Sequence, residues 1–267
     1  MTRPTFPLTD GKHGFDAIVT PNAMLDHRRA GGRLGAITPP HGAVICLQRG
    51  LPQRLQRRIR LRHIGRLMGD LHAVRSTAGR VVVLSDFGLG APIVAAQAEE
   101  LIALGATEIV SIALAGGLAP DLAPGSMVVV DAALRDEGTS QHYLAPGRSV
   151  AADPMLTDRL AGALTKRGVE FRRGVTWSTD APYRETAEEA IAFFKEGALV
   201  VDMEMAALFA VAKVRGIAAA GVLVAGDSLA GGLWQPPTRL DGMERALETA
   251  YATAIDVLDQ QARVHHG

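Results

Sequence analysis

Three short segments of the 267-residue chain carry residue types that could do chemistry. The loop Gly88–Pro92 lies between an apolar run and a predicted helix, and the backbone N–H groups of such a loop can approach an anion. Asp202 and Glu204 lie at the junction of an apolar strand and an apolar helix, where paired carboxylates could serve as acids, bases or hydroxyl ligands. Asp227 follows the apolar run 221–224, and ligand-facing residues follow the strands of α/β sheets.

Each segment also has a purely structural interpretation that the residues leave open. The glycine loop is compatible with a tight strand-to-helix turn. Glu204, expected in a first helical turn, could simply compensate the helix dipole, and Asp227 could be an N-cap or a turn residue. The eight histidines show no zinc-like spacing, and the sequence has no H-E-x-x-H, C-x-x-C or G-x-S-x-G pattern. No metal site is therefore expected.

The composition is that of a soluble globular protein, with 48% hydrophobic and 21% charged residues. The single cysteine, Cys46, allows no intramolecular disulfide, and residues 1–10 contain no apolar signal-peptide core. No apolar stretch is long enough to span a bilayer. We therefore expect a cytoplasmic protein without a membrane partner.

The net charge is zero but unevenly distributed. Residues 1–80 carry 14 Lys+Arg and 4 Asp+Glu, a net charge of +10, and the rest of the chain balances it. Seven arginines and no carboxylate lie between Arg49 and Arg66. This segment could bind phosphate or nucleic acid, or could pair with the acidic part within the fold or across subunits. The 4% aromatic content provides no stacking platform, so no nucleic-acid partner is expected.

The elements that would position these residues alternate between strands and helices. We expect one α/β domain over residues 1–267, with a central sheet and helices on both faces. The predicted strands are Phe15–Thr20, Ala43–Leu47, Asp70–Arg75, Arg80–Phe87, Glu108–Leu114, Ser126–Ala133, Val169–Ser178, Ala198–Val201 and Ile217–Ala225. Five helices are predicted. The first ends near Leu104, the second begins at Asp153 and the third begins at Thr186. The last two span about Met203–Arg215 and Arg239–Arg263.

Six motifs occur in an order and spacing that resemble a known family. They are Gly88–Pro92, Ala115–Leu118, Pro124–Val129, Ala133–Ser140, Gly174–Asp180 with Tyr183, and Val201–Ala207. The chain from about Val81 to Leu258 thus resembles the nucleoside phosphorylase superfamily, of the uridine phosphorylase and hexameric purine nucleoside phosphorylase type. The resemblance implies a three-layer α/β/α fold around a mixed, partly barrel-like sheet, assembled as homodimers or hexamers. It also implies cleavage of the N-glycosidic bond of a nucleoside without a cofactor, with inorganic phosphate as a co-substrate.

The resemblance assigns roles to residues of this sequence. Glu204 matches the glutamate that binds the ribose hydroxyls, and Met203 matches the methionine that lines the sugar. Asp227 lies where purine-specific members place the acid that protonates the base. Tyr183 belongs to a matching motif. Arg184 and Trp177 could read or stack on the base, with a core role as the alternative for Trp177.

The expected phosphate contacts depart from the family pattern. Phosphorylases of this family carry a Gly-Asp-Pro-x-Arg motif, and residues 20–25 stand in its place here. Ser111 stands where the family has an arginine that binds phosphate. Leu114 stands where the family has a hydroxyl residue that also contacts phosphate. In the family, a neighbouring subunit donates a further phosphate-binding arginine. The corresponding position in this sequence is at or near Met68, and Arg66 is the nearest arginine to it. Gly88, Gly90, Ser111 and Arg66 remain as candidate contacts, and we expect a weak or altered phosphate site.

The expected uracil contacts also depart from the family pattern. Thr186 and Glu188 replace the glutamine and arginine that read uracil, and Pro182 replaces the stacking phenylalanine. Three functions therefore stay open. They are phosphorolysis on the family pattern, a phosphate-independent nucleosidase for which Asp26 is the nearest N-terminal acid, and a catalytically weakened nucleoside-binding protein.

Overall fold

The central sheet is assembled from ten strands of mixed direction. A computed structural model describes residues 9–48, 50, 59–237 and 240–266. Within these residues the strands are β1 (Gly42–Cys46), β2 (Leu61–Arg66), β3 (Asp70–Val74), β4 (Val81–Ser85), β5 (Glu108–Gly117), β6 (Met127–Asp136), β7 (Ser149–Ala151), β8 (Phe171–Thr179), β9 (Ala198–Asp202) and β10 (Ala218–Ser228).

Five of these strands close on themselves. The order β10-β6-β8-β9-β5 is completed by a parallel β10–β5 pairing, which produces a small barrel. The sheet extends beyond β5 through β1, β4, β3 and β2. Parallel pairs such as β8–β9 coexist with antiparallel pairs such as β5–β9. The prediction of a mixed, partly barrel-like sheet is therefore confirmed.

Helices cover both faces of this sheet. They are α1 (Pro21–Ala30), α2 (Ala91–Ala103), α3 (Pro154–Lys166), α4 (Ala187–Lys195), α5 (Met205–Arg215) and α6 (Asp241–His266). Buried residues of α2 and α5 share one core cluster with the sheet, and those of α3 and α6 share another. A third cluster lies beneath α4. This arrangement confirms the predicted three layers.

Two helix starts follow the predicted capping chemistry. The Asp153 side chain accepts a hydrogen bond from the Leu156 N–H at the beginning of α3. Thr186 and Glu189 form a reciprocal capping box at the beginning of α4. Both caps satisfy backbone donors that a helix leaves unpaired in its first turn.

One strand predicted near the N-terminus was wrong, and one observed strand was not predicted. Phe15–Thr20 is not a strand: Phe15, Ile18 and Val19 are all exposed, and the Thr20 hydroxyl instead caps α1 by accepting from the Ala23 N–H. A run of apolar residues with no buried partner gains nothing from forming a strand. Conversely, the arginine-rich run 61–66 forms the edge strand β2, where charged side chains face solvent.

The basic and acidic parts of the chain meet within the fold. Arg28 on α1 donates to Glu100 on α2, and Arg80 donates twice to Asp259 on α6. These pairs support the structural interpretation of the charge asymmetry. Most of the Arg49–Arg66 segment lies outside the described residues. Among the helices that the structure describes, none is both long and apolar enough to cross a membrane.

Candidate active site

The ends of four strands meet at one edge of the barrel. Ser178 of β8 lies beside Asp202 of β9, and Asp227 of β10 lies beside Gly116 of β5. Gly116 in turn pairs with Val201, the residue before Asp202. The strand register therefore brings Asp202 and Asp227 to the same edge, although they are 25 residues apart in the sequence.

Asp202 is the centre of a buried hydrogen-bond network, which we call the Asp202 brace. Its Oδ1 accepts from the Thr176 hydroxyl at 3.0 Å and from the Ser178 hydroxyl at 2.7 Å. Its Oδ2 accepts from the backbone N–H groups of Glu204 at 2.8 Å and Met205 at 2.7 Å. The carboxylate therefore connects β8 to the turn that begins α5.

The brace fixes Glu204 at the N-terminal end of α5. Glu204 occupies the N-cap position of that helix rather than its first turn, which corrects the sequence prediction. Its side chain is 4% exposed. Burial, and then the nearby charge of Asp202, raise the pKa of Glu204 to about 7. Burial likewise raises the pKa of Asp202, against the opposing effect of its four hydrogen bonds.

The glycine loop donates to Glu204. The Gly90 N–H reaches Glu204 Oε1 at 2.7 Å, and the Met203 N–H reaches Oε2 at 3.2 Å. Gly90 precedes α2 with a φ of 103°, a conformation that side-chain-bearing residues rarely adopt. One amide of the predicted anion-binding loop is therefore satisfied by the protein's own carboxylate.

Asp227 lies across Gly116 from this network. A Cβ on Gly116 would lie 3.3 Å from Asp227 Oδ1, and it would approach Leu229 to 2.4 Å and Val201 to 2.9 Å, so a side chain there would force these neighbours to move. Asp227 Oδ2 accepts from the Trp234 indole N–H at 2.8 Å. Glu185 lies close enough for the charge of Asp227 to raise its pKa. The barrel edge thus holds Asp227 beside Gly116 and Glu204 at the start of α5.

The residues predicted to contact the base and sugar occupy different environments. Met203 is partly buried between Asp202 and Glu204. Tyr183 and Arg184 are exposed on the 3₁₀ turn Pro182–Arg184. Trp177 is 1% exposed and stacks on Phe193, with its indole N–H donating to Asp136. The Trp177 side chain points away from the face of β8 that carries Thr176 and Ser178. A role in the core therefore fits Trp177 better than stacking on the base.

The candidate phosphate contacts do not form a cluster of charged donors. Ser111 is fully buried in the middle of β5, and its hydroxyl has no hydrogen-bond partner among the described residues. Leu114 offers no donor side chain. Arg66 ends the edge strand β2, where it forms a 3.3 Å ion pair with Asp70. The described residues also contain no group of three or more His, Cys, Asp or Glu side chains that could hold a metal ion.

Sequence reasoning missed three residues at this edge. Thr176 and Ser178 lay within a recognised motif, but only the β8–β9 register shows that their hydroxyls bind Asp202. Glu185 lay next to the predicted capping box and carried no signal of its own. Its relation to Asp227 depends on the packing of α4 against the turn Ala230–Gly232, where a Cβ on Gly232 would meet Ala187 at 2.5 Å.

Comparison with known proteins places this site in a family. Residues 44–260 match the model of the phosphorylase superfamily, so the chain belongs to that family. A guanosine phosphorylase of Halorubrum lacusprofundi is 28% identical over 63% of this chain and 73% of its own length. A uridine phosphorylase of Thermococcus kodakarensis is 33% identical over 45% of this chain, a match that spans 40% of that relative.

A solved structure shares the fold over nearly the whole chain. The AMP nucleosidase of Bacteroides thetaiotaomicron superposes with a TM-score of 0.72 at 17% identity, covering 93% of this chain and all of the other. The predicted relationship to nucleoside phosphorylases and the predicted fold class are therefore both confirmed.

Proposed function

We propose that the protein cleaves the N-glycosidic bond of a nucleoside, as a pentosyltransferase of the nucleoside phosphorylase type. The observation that carries this proposal is the buried Glu204, fixed by the Asp202 brace and facing the same sheet edge as Asp227. The similarity to a guanosine phosphorylase and a uridine phosphorylase supports the substrate class.

The arrangement suits an oxocarbenium-like transition state. As the bond to the base breaks, the sugar gains positive charge and the base gains negative charge. Glu204 is assigned to the ribose hydroxyls, where a carboxylate interacts more strongly as the sugar becomes positive. Met203 is assigned to the sugar face, and Tyr183 and Arg184 to the base side. Asp227 belongs to the group of residues that neutralises the leaving base.

Phosphorolysis remains the family pattern, but a nucleosidase reaction with water is a second candidate. Specific observations favour it: Ser111 and Leu114 replace charged or polar phosphate ligands, and the Gly90 N–H is taken by Glu204. The charge of Asp180 also acts on Glu204, so carboxylates rather than cations surround that position. A dianion approaching them would be repelled.

The proposal includes the setting of the reaction. Residues 1–267 are assigned to one nucleoside phosphorylase-like domain that works as a cytoplasmic homo-oligomer on a small-molecule substrate. It uses no cofactor, and inorganic phosphate is the co-substrate if phosphorolysis is the reaction. An arginine from Arg49–Arg66 of a neighbouring subunit, such as Arg66, would be the source of a replacement phosphate ligand.

A nucleoside panel tests the proposal. Purified protein is incubated with purine and pyrimidine nucleosides, with and without phosphate, and free base is quantified by chromatography. We expect base release from at least one nucleoside, and a much slower release with Glu204→Gln. If neither condition releases any base while a nucleoside still binds in calorimetry, the binding-protein alternative replaces this proposal.

A further inference from the structure

Trp234 is an exposed aromatic side chain that the fold nevertheless holds in one place. The residue is 68% exposed, yet its indole N–H donates to Asp227 Oδ2 over 2.8 Å. Water could satisfy this donor at the surface, so the contact restricts the side chain without burying the ring. The other tryptophan of the chain, Trp177, is instead buried in the core. A contribution to stability therefore explains the position of Trp234 poorly.

The backbone on either side of this tryptophan is also fixed. Ser228, at the end of β10, and Gln235 donate to each other's carbonyl groups at 3.0 and 2.7 Å, which closes residues 229–234 into a loop. The Leu229 N–H donates to the carbonyl of Gly117, at the end of β5, at 2.7 Å. The 3₁₀ turn within this loop also packs against α4. The 229–234 loop is therefore attached to β5, β10 and α4.

The bond to Trp234 leaves one oxygen of the Asp227 carboxyl group available. Oδ1 accepts no hydrogen bond within the part of the chain that the structure describes. A Cβ on Gly116 would lie 3.3 Å from this oxygen and 2.9 Å from Val201 Cγ1, so the oxygen lies on the same face of the sheet as the Val201 side chain. Val201 precedes Asp202 at the end of β9. Oδ1 therefore lies at the barrel edge that forms the candidate active site.

A stacking ring beside a carboxylate oxygen matches the two chemical features of a nucleobase. The face of a base stacks on aromatic side chains, and the N–H groups on its edge donate to carboxylates. The indole has two fused rings, so it overlaps a bicyclic purine over a larger area than a single-ring pyrimidine. A purine can therefore lie against Trp234 while its edge reaches Asp227 Oδ1.

We propose that Trp234 determines the preference for the base: its indole ring stacks on a purine, and its N–H orients Asp227 so that Oδ1 accepts a hydrogen bond from the purine edge. This inference rests on the proposed nucleoside cleavage. Trp234 is a binding residue through its ring and a positioning residue through its N–H group. The protein is therefore expected to cleave purine nucleosides in preference to pyrimidine nucleosides.

Two substitutions at Trp234 separate the ring from its N–H group. Trp234→Phe keeps an aromatic face but lacks the donor to Asp227, and Trp234→Ala lacks both. For inosine and adenosine, we expect Trp234→Phe to lower kcat about tenfold with KM little changed. Trp234→Ala should lower kcat similarly and also raise KM about tenfold, the effect of losing one stacking contact. Because the ring is exposed, the circular dichroism spectra of both variants should match that of the wild type.

Leu233→Ala provides the matched control in the same loop. Leu233 is 70% exposed, and its backbone is extended with a φ of −119° and a ψ of 121°, so its side chain and that of Trp234 point in opposite directions. We expect this variant to keep the wild-type kcat and KM. If Trp234→Ala behaves like Leu233→Ala, the base contact is wrong. If Trp234→Phe keeps the wild-type kcat, the positioning of Asp227 is wrong.

Fluorescence tests base binding without turnover. The chain has two tryptophans, and subtracting the emission of Trp234→Phe from that of the wild type isolates the signal of Trp234. Because Trp177 is 1% exposed, acrylamide should quench Trp234 selectively. We expect hypoxanthine or adenine to protect Trp234 from acrylamide at lower concentrations than uracil. Unchanged quenching with all three bases, or equal protection by uracil, would overturn the assignment of Trp234 to a purine.

The two proposals fail in different ways. Protection of Trp234 by a purine base in a protein that cleaves no nucleoside would refute the proposed cleavage and retain the base contact. Cleavage of a purine nucleoside, with Trp234 equally accessible to acrylamide in the presence and absence of the base, would retain the cleavage and refute the role of Trp234.

Discussion

At the scale of single residues, Glu204 should separate activity from folding. A glutamine in its place keeps an oxygen that can accept from the Gly90 N–H but removes the negative charge offered to the sugar. We expect Glu204→Gln to lose about 10²–10³-fold in kcat, the usual effect of removing one preorganised electrostatic contact. Its circular dichroism spectrum should match that of the wild type. A variant with wild-type kinetics would show that Glu204 does not bind the substrate.

The same residue predicts how stability depends on pH. Because burial raises the Glu204 pKa from 4.5 to about 7, the native state holds a proton that the unfolded state releases between these values. Stability should therefore fall as pH rises through that window, by up to about 1.4 kcal/mol per pH unit from this group. Above pH 7 its contribution should level off.

Urea unfolding at pH 5 and pH 8 measures this effect. Glu204→Gln lacks the titration, so it should gain about 2–3 kcal/mol relative to the wild type between the two pH values. Parallel stability profiles for the two proteins would contradict the assigned burial effect.

Residue identities could be predicted from local motifs, but their partners could not. The motif around Met203 pointed to Glu204 from seven consecutive residues. The Glu204 bond to Gly90, however, joins positions 114 residues apart, and the Trp234 bond to Asp227 depends on how the chain returns after β10. Such contacts are set by strand register and loop packing, which leave no periodic signal in the sequence.

At the scale of elements, the Asp202 brace should be worth more than an ordinary helix cap. Asp202→Ala would leave the buried Ser178 hydroxyl and two backbone N–H groups without their acceptor, while the Thr176 hydroxyl keeps the Val200 carbonyl. At about 1–3 kcal/mol for each unsatisfied buried group, partly relieved by relaxation, we expect a loss of at least about 3 kcal/mol. Asp153→Ala, which removes the cap of α3, provides the comparison and should cost about 1 kcal/mol.

Chemical denaturation of the two variants measures that difference. Ser178→Ala, which removes one donor to Asp202 and one acceptor for the Ala206 N–H, should fall between them. Equal losses for Asp202→Ala and Asp153→Ala would mean that the brace acts only as a cap.

Elements with two buried faces could be predicted well, whereas those at the margins could not. β4 is buried at every position and apolar over residues 81–84, as expected of a strand covered on both faces, and its prediction is confirmed. Residues 15–20 have a composition typical of a strand but do not form one, because their side chains have no core to pack against. Hydrophobic patterning identifies a strand only where a second layer exists to bury it.

At the scale of the whole molecule, part of the positive charge of residues 1–80 is neutralised by carboxylates of the same chain. Arg28 is buried between the Leu67 carbonyl and Glu100, tying α1 to α2. Truncating one partner of a buried ion pair typically costs about 3–5 kcal/mol, because the other charge is left unpaired. Arg28 is therefore engaged in a structural ion pair and is a poor candidate for a phosphate ligand.

The remaining arginines decide the last prediction, the dependence of activity on phosphate. The described edge offers carboxylates at positions 180, 202 and 204, a buried serine at 111 and a leucine at 114, so it supplies no charged phosphate ligand of its own. We expect base release at a rate that changes little when phosphate is added, with free ribose as the sugar product. Arg66→Ala and Arg62→Ala, two variants on the same edge strand, should show the same dependence of base release on phosphate.

The contrary result has a distinct signature. If an arginine of a neighbouring subunit rebuilds the site, ribose 1-phosphate would form, activity would vanish without phosphate, and Arg66→Ala alone would raise the phosphate concentration needed for half-maximal rate. We favour the first outcome because arginine recognises phosphate through a fixed two-pronged geometry, and a displaced guanidinium rarely reproduces it. Quantifying ribose and ribose 1-phosphate in the same reactions distinguishes the two cases directly.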